Sequence, residues 1–442
     1  MQTRFSLAVT GDTCINRRLS VYDDERFLSL IKILRDADFT YGHLETVIHD
    51  YEGPEVYPAA EAGWTWMRSP RFVAEELKWA GFDIISLASN HCMDYSYGGL
   101  IATWKALDEI GLLHAGTGTN LQQAREPAYL ESGKGRLAII SMCSSFSEWA
   151  RAGQIRPDVK GRPGLNPLRF YYRVDASTME ILKRLAIKLG WWVSQVGKTW
   201  LFHPAGLHNT IYRFVEGDEP GVSTVADEDD VEGNLRSIKD ARRQADFVLV
   251  HLHTHEWDPD KGLSVPAKFV PPFAHACIEA GADVFVSQGS HALLRGIEIY
   301  RNKVIFYDPG DFVGMYRTMT RLPADFYWRV GFSAQVRGWE ATPADAFDAI
   351  ASLPPPLNPP GGYFSSPVKC SIVAVCSFTG DGKLTEVKLY PVTMVGEPRG
   401  QSGLPILADA EMAKKAIEYL GELSAPFGTK IDSKEGVGLV RL

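Results

Sequence analysis

Five short, mostly apolar runs each end in residue types that bind metal ions or move protons: FSLAVTGDTC (5–14), FTYGHLE (39–45), DIISLASNHCMD (83–94), FVLVHLHTHE (247–256) and DVFVSQGSH (283–291). A single ending of this kind carries little information. Five, separated by helix-like segments, are what one site at the carboxyl edge of an α/β sheet requires, because open α/β sheets hold their ligands there. Asp12 offers a hard oxygen donor for a divalent cation. Cys14, two residues on, is either a further donor or, the commoner fate, a small buried apolar residue. Glu45 gains weight only from its company. His251, His253 and His255 stand at i, i+2 and i+4, so on a continuing strand they share one face. One short strand rarely gives a single ion three ligands, so the expectation is one ligand with the others beside it. Asn90 could lend a carbonyl oxygen, and His91 could act as a general acid or an electrostatic stabiliser. Asp94 would orient His91 and raise its basicity, with helix capping as the plain alternative for Asn90 and Asp94. His291 follows Gly289, whose backbone freedom suits a tight turn. His43, His49, His114, His203, His208 and His275 lie in no comparable setting and are expected to be structural.

Strand and helix signals alternate around these endings, as crossover connections between strands require. Helices are expected over 23–38, 69–81, 98–111, 177–193, 234–244, 271–281 and 409–424. The second opens with Ser69 as N-cap and Pro70 as first helical residue, and stops at Gly81. Hairpins are expected over 296–307, with Asn302 near the turn, and over 371–392, with GDG at the turn. Residues 150–235 break the rhythm and read as an insertion or cap near the site. Within them the acidic run DEDD (227–230) is expected on a solvated surface. Residues 313–366 are irregular and rich in Pro, Trp and Tyr, too apolar for a disordered linker, so they pack over the domain or line a pocket.

The 442 residues suffice for one large domain with insertions or for two domains. The composition, 45% hydrophobic and 23% charged, is that of an ordinary soluble globular chain. A net charge of −8 argues against nucleic acid as a partner. No apolar run approaches the ~18 residues of a membrane span, and the N-terminus does not read as a signal peptide. A cytoplasmic location is therefore expected. None of the cysteines, Cys14, Cys92, Cys143, Cys277, Cys370 and Cys376, form a C-x-x-C pair. Cys370 and Cys376 lie on one strand-like run and are too far apart along it to bridge, which fits a reducing compartment.

With these motifs in place the chain resembles the CapA family of poly-γ-glutamate capsule biosynthesis proteins, a branch of the calcineurin-like metallophosphatase superfamily. The resemblance is carried by FDIISLASNHCMDY, GTGTNLQQAREPAYLE, NPLRF and AGADVFVSQGSHALLRGIEIYRNKVIFYDPGDFV, and it covers essentially the whole chain, so 1–442 is expected to be a single domain. It implies an α/β fold, the four-layer α/β/β/α sandwich of the metallophosphatase type, with a divalent metal centre (Mn, Zn, Fe, Mg or Ca). By motif, Asp12 matches the first ligand, Glu45 the bridging carboxylate, Asn90 the asparagine ligand, His91 the catalytic histidine, His253 the strand histidine and His291 the closing histidine. The chain departs from the family pattern at Gln288, where a histidine is expected, and at Ser290, His43, Thr254 and His255. One metal position, from Asp12, Glu45 and His291, is therefore better supported than a second from Glu45, Asn90, His253 and Gln288, for which His43, His251 or His255 could substitute.

Three activities follow as expectations. The first is metal-dependent hydrolysis of an amide, peptide or phosphoester bond, with His91 protonating the leaving group. The second, also implied by the resemblance, is epimerisation of a peptide Cα with Asp12 and His291 as acid and base. The third is a non-catalytic binding or assembly role. A small molecule or a peptide is the expected partner.

Overall fold

The computed structural model describes residues 4–63, 65–204, 211–291, 294–329, 340–351 and 368–442. His208, the whole Pro-rich stretch 353–364 and residues 330–339 of the aromatic segment lie outside the described residues.

The chain forms a mixed α/β fold with two large sheets. One runs in the order Ile431–Lys434, Val437–Val440, Leu384–Met394, Ser371–Thr379, Arg4–Cys14, Phe39–Leu44, Ile84–Ser86, Leu113–Ala115. The other runs Arg295–Tyr300, Lys303–Asp308, Val284–Gln288, Phe247–His253, Gly135–Cys143, Ala128–Ser132. Within each, the central strands are parallel: Arg4–Cys14, Phe39–Leu44 and Ile84–Ser86 in the first, Gly135–Cys143, Phe247–His253 and Val284–Gln288 in the second. Their carboxyl ends therefore gather along one edge of each sheet.

The two sheets share a core. Phe5, Leu7, Val9, Tyr41 and Ile84 from the first pack with Leu137, Ile139, Phe247, Leu249, Val284 and Val286 from the second. The opposite face of the first sheet packs on helices Glu25–Asp36, Val73–Ala80 and Ser96–Glu109, through residues such as Phe27, Leu34, Leu77 and Leu107. That of the second packs on Glu228–Arg242 and Val270–Ala280, through Ile238, Ala241, Phe273 and Cys277. Strand side chains alternate between faces, which explains how the inter-sheet layer changes character along its length. The same faces that carry Tyr41, Ile84, Ile139, Leu249 and Val286 inward continue, two residues later, as His43, Ser86, Ser141, His251 and Gln288. The layer is apolar at its amino end and polar at its carboxyl end.

A bulge between Val9 and Asp12 shifts the register of the first strand against its neighbour and re-aims Asp12. Gly11 lies in this bulge, and a Cβ there would sit 1.6 Å from the Gly310 carbonyl oxygen. Only glycine permits that approach.

Most expected elements are present, with three corrections. The helix expected from Ser69 begins at Val73. Ser69 instead belongs to a short strand pairing with Val47–Ile48, its hydroxyl bonded to Thr46 and Ile15. The helix expected over 177–193 is Ala176–Lys188, because Gly190 turns to φ +72° and the chain leaves as strand Trp192–Val196. The acidic run is not wholly on a solvated surface. Asp227 caps the helix Glu228–Arg242, and Asp227 and Asp230 are buried in ion pairs with Arg169 and, for Asp230, Arg125.

Between 170 and 226 the chain builds a separate five-stranded sheet, Trp192–Val196, Thr199–His203, Tyr212–Glu216, Phe170–Val174, Val222–Ala226, with a small core of its own around Val174, Met179, Ala186 and Phe202. All six cysteines are free and buried. Among the described residues no helix is long and apolar enough to cross a membrane.

Candidate metal centre

The polar end of the inter-sheet layer and the loops just beyond it bring together Asp12, Glu45, His43, His251, His253, His255 and His291. Glu45 Oε1 is 3.5 Å from His253 Nε2, 3.4 Å from His291 Nε2 and 4.0 Å from His255 Nε2. Asp12 Oδ1 lies 3.9 Å from His253 Nδ1, and Asp12 Oδ2 3.9 Å from His291 Nδ1. Donor atoms converge in three groups: Glu45, His255 and His291; Asp12, His291 and Asp311; and His43, His251 and His253.

Of the three strand histidines, His251 and His253 lie on the strand and share its inward face, as their spacing predicts. His255 lies past the strand end, where its Nε2 meets His253 Nε2 at 3.0 Å. Cys14 is buried, with Sγ 3.3 Å from Glu45 Oε2, and burial pushes its thiol pKa well up. It therefore stays a thiol packed against the carboxylate.

His91 and Asp94 form a tight buried pair, Nδ1 to Oδ2 2.6 Å. The same Asp94 oxygen accepts from the Met67 N–H at 2.6 Å. The following helix, Ser96–Glu109, has no side-chain cap, so Asp94 serves His91 rather than the helix terminus. Burial disfavours the imidazolium of His91, but the charge of Asp94 and its hydrogen bond outweigh this and leave the pKa above its ordinary value. Asn90 Oδ1 is buried without a hydrogen-bond partner.

Gln288, at the position where the family pattern has a histidine, has its carboxamide engaged on both sides. Its Nε2 donates to the Thr10 carbonyl at 2.9 Å, and its Oε1 accepts from the Tyr41 hydroxyl at 3.0 Å.

Three further residues belong to the site. Asp311 Oδ1 stands 3.3 Å from His291 Nδ1, and Tyr316 donates its hydroxyl to Asp311 Oδ2 at 3.1 Å. The run VIFYDPGD (304–311) is in fact a sixth apolar strand ending in carboxylates, and that signal could have found Asp311. Gly63 lies against His91 and Asn90: a Cβ there would be 2.6 Å from His91 Cε1 and 2.7 Å from Asn90 Nδ2. No sequence pattern marks it. His114 pairs with Asp108 and His275 with Glu298, away from this group.

The residues fit a divalent cation on physical grounds. Both oxygens of Asp12, Oε1 of Glu45, Nε2 of His43 and His251, and Nδ1 of His253 are buried without hydrogen-bond partners. Each such orphan costs ~1–3 kcal/mol, so a cluster of them calls for a compensating charge. Burial, then the charge of Glu45, raises the pKa of Asp12 well above the carboxylate range. Burial likewise raises Glu45, against the pull of His291 and His91. Burial holds His253 neutral and brings His43 down to about 3. Neutral imidazoles beside two mutually repelling carboxylates are the forms that coordinate metal. His291 is the exception. Burial disfavours its charge, but Glu45, Asp311 and Asp12 together push its pKa well up, so without a metal it is the counter-cation of the acidic group.

Residues 6–316 match the family described as bacterial capsule synthesis protein PGA_cap. Two uncharacterized proteins of Sinorhizobium fredii, y4sH and y4uA, are each 33% identical over 99% of this chain and 93% of their own length. The capsule biosynthesis protein CapA of Bacillus anthracis is 22% identical over 70% of this chain and 60% of its own. A probable polyglutamine synthesis accessory protein of Mycobacterium tuberculosis is 28% identical over 53% of this chain and 45% of its own. With most of its length matched, the chain belongs to the PGA_cap family of bacterial capsule synthesis proteins.

Proposed function

We propose that the protein is a metal-dependent hydrolase acting on an amide or phosphoester bond, with a peptide or γ-glutamyl chain as the substrate class to which its capsule-synthesis relatives point. The reading takes the two large sheets and their flanking helices as a four-layer metallophosphatase-type sandwich in a single domain, with the sheet at 170–226 as an insertion. The observation that carries it is the set of unpartnered buried oxygens on Asp12 and Glu45, facing His253 and His291, together with the buried, unpartnered Asn90 Oδ1. Asp12, Glu45, His291 and Asp311 would hold the first ion. Asn90, His253 and His255 are the donors for a second, since the Gln288 amide is already engaged. A bound divalent ion supplies Lewis-acid polarisation of the scissile oxygen and an acidified water. The chain supplies the rest. Asp94 holds His91 Nδ1, which leaves Nε2 to face the site, and the raised pKa keeps a proton there for the leaving group. Gly63 leaves the space beside His91 open.

A second reading, Cα epimerisation by Asp12 and His291, is favoured by two observations. Burial raises Asp12 while the surrounding carboxylates raise His291, so the pair can share one proton as acid and base. The engaged Gln288 also weakens a two-metal centre. The two groups stand 3.9 Å apart, whereas a carbon between two proton-transfer partners needs about 6 Å, twice the ~3 Å hydrogen-bond reach, so the pair must open to admit it.

The test is to strip the protein with chelator and incubate it in D2O with γ-glutamyl chains, peptides and aryl phosphates. Cleavage restored by metal supports hydrolysis. Deuterium at a peptide Cα without cleavage and without metal replaces it with epimerisation. A stable complex with neither reaction leaves a binding role.

A further inference from the structure

Behind the Glu45–His255–His291 group lies a second ring of donors with no access to solvent. His43 comes from one large sheet, His251 and His253 from the other, and one ligand nitrogen of each lies within 4.8 Å of the others. All three are fully buried, whereas the side chain of His291 is 25% exposed and that of His255 33%. Two serines fix the rings. Ser86 Oγ meets His43 Nδ1 at 2.8 Å, and Ser141 Oγ meets His251 Nδ1 at 2.9 Å. Each serine therefore leaves Nε2 of its histidine turned inward, and neither Nε2 has a hydrogen-bond partner. His253 Nδ1 and Asp12 Oδ1 are unpartnered as well. Asp12 Oδ1 is 3.9 Å from both His43 Nε2 and His253 Nδ1.

Buried imidazoles serving only as packing would be expected to use both ring nitrogens, because an orphaned polar atom costs ~1–3 kcal/mol. Here three such imidazole nitrogens face one another, and the unpartnered Asp12 Oδ1 borders two of them, on His43 and His253. A zinc ion bonded to nitrogen at ~2.05 Å holds tetrahedral donors ~3.3 Å apart, so the 3.9 Å spacings at Asp12 contract by about half an ångström on loading, and the histidine nitrogens, within 4.8 Å of one another, close up around the ion. Hydroxyls holding the far nitrogen of each ring are the outer contacts that fix ligand tautomer and direction in metal sites. Three neutral imidazoles with one carboxylate suit Zn²⁺ and its transition-metal neighbours over Mg²⁺ or Ca²⁺.

We infer that His43, His251, His253 and Asp12 form a closed, four-coordinate transition-metal site that clasps the two sheets together, behind the solvent-facing group around Glu45 and His291. Its donors come from both sheets, and four protein ligands leave no position open for substrate, so its role is structural. It shares Asp12 with the outer group and competes with it for His253. It stands whether or not the outer group hydrolyses anything.

The test is a Co²⁺ titration of the full-length, metal-stripped protein, read by visible absorption. The site predicts one tight equivalent with the intense bands of four-coordinate Co²⁺, and a higher melting temperature on loading. His251→Gln abolishes those bands, and Glu45→Gln keeps them. Ser141→Ala retains every ligand and guards against misfolding of His251→Gln; it weakens binding tenfold or more. Weak five- or six-coordinate bands in the wild type overturn the inference, as do bands unchanged by both His251→Gln and Ser141→Ala.

Discussion

Replacing Asp94 by asparagine isolates the role given to it, because Asn keeps an oxygen to accept from the Met67 N–H and loses only the charge facing His91. The two side chains are buried and 2.6 Å apart. A hydrogen bond to a charged group is worth ~1.5–3 kcal/mol, and one pKa unit is about 1.36 kcal/mol. Asp94→Asn should therefore lower the His91 pKa by roughly 1–2 units. The folded pKa of His91 is raised, so its protonation stabilises the fold fully below the ordinary histidine value of about 6.5 and is lost as pH rises through the folded value. The variant should accordingly lose most stability on the acid side and least on the alkaline side. The alkaline limb of the activity profile should move to lower pH by the same 1–2 units. NMR titration of isotope-labelled histidine, with the His91 signal identified by its absence in His91→Gln, measures the shift without knowledge of the substrate. An unchanged midpoint in Asp94→Asn would refute the pairing as the source of the raised pKa.

Other substitutions test the packing that supports the site. Gly63→Ala drives a methyl group against His91 and Asn90, which should cost ~1–3 kcal/mol and cut activity more than it cuts folding, as melting temperature and turnover measured together will show. Gly11→Ala meets the Gly310 backbone rather than a yielding side chain, so a loss at or above ~3 kcal/mol is expected by urea unfolding. Asp230→Ala leaves Arg125 and Arg169 short of their shared buried partner and should cost ~3 kcal/mol or more in the same assay, while metal binding stays intact.

Much of this arrangement was legible because strand periodicity and metal chemistry coincide. The inward face that begins with Phe247 and Leu249 continues to His251 and His253, as their two-residue spacing predicts, whereas His255 falls past the strand end. Asp12, Glu45 and His291 were readable for the same reason, each closing an apolar run. What escaped depended on partners distant in sequence. Gln288 looked like a weak ligand, and only the contacts with Thr10 and Tyr41 reveal that its amide is engaged. Ser86 and Ser141 are unremarkable residues until they face His43 and His251. Asp230 looked solvated because its arginine partners lie 61 and 105 positions away. Ser69 looked like a helix cap because its bonds to Thr46 and Ile15 are tertiary.

If Asp12 and Glu45 are there to hold a divalent cation, the protein must bind one saturably. Calorimetric titration of metal-stripped protein with Mn²⁺ and Zn²⁺ tests it most directly. Saturable binding of at least one equivalent is expected in the wild type, weakened by more than about tenfold in the Asp12→Asn, Glu45→Gln double variant. Absence of saturable binding in a folded, active wild-type protein would contradict it.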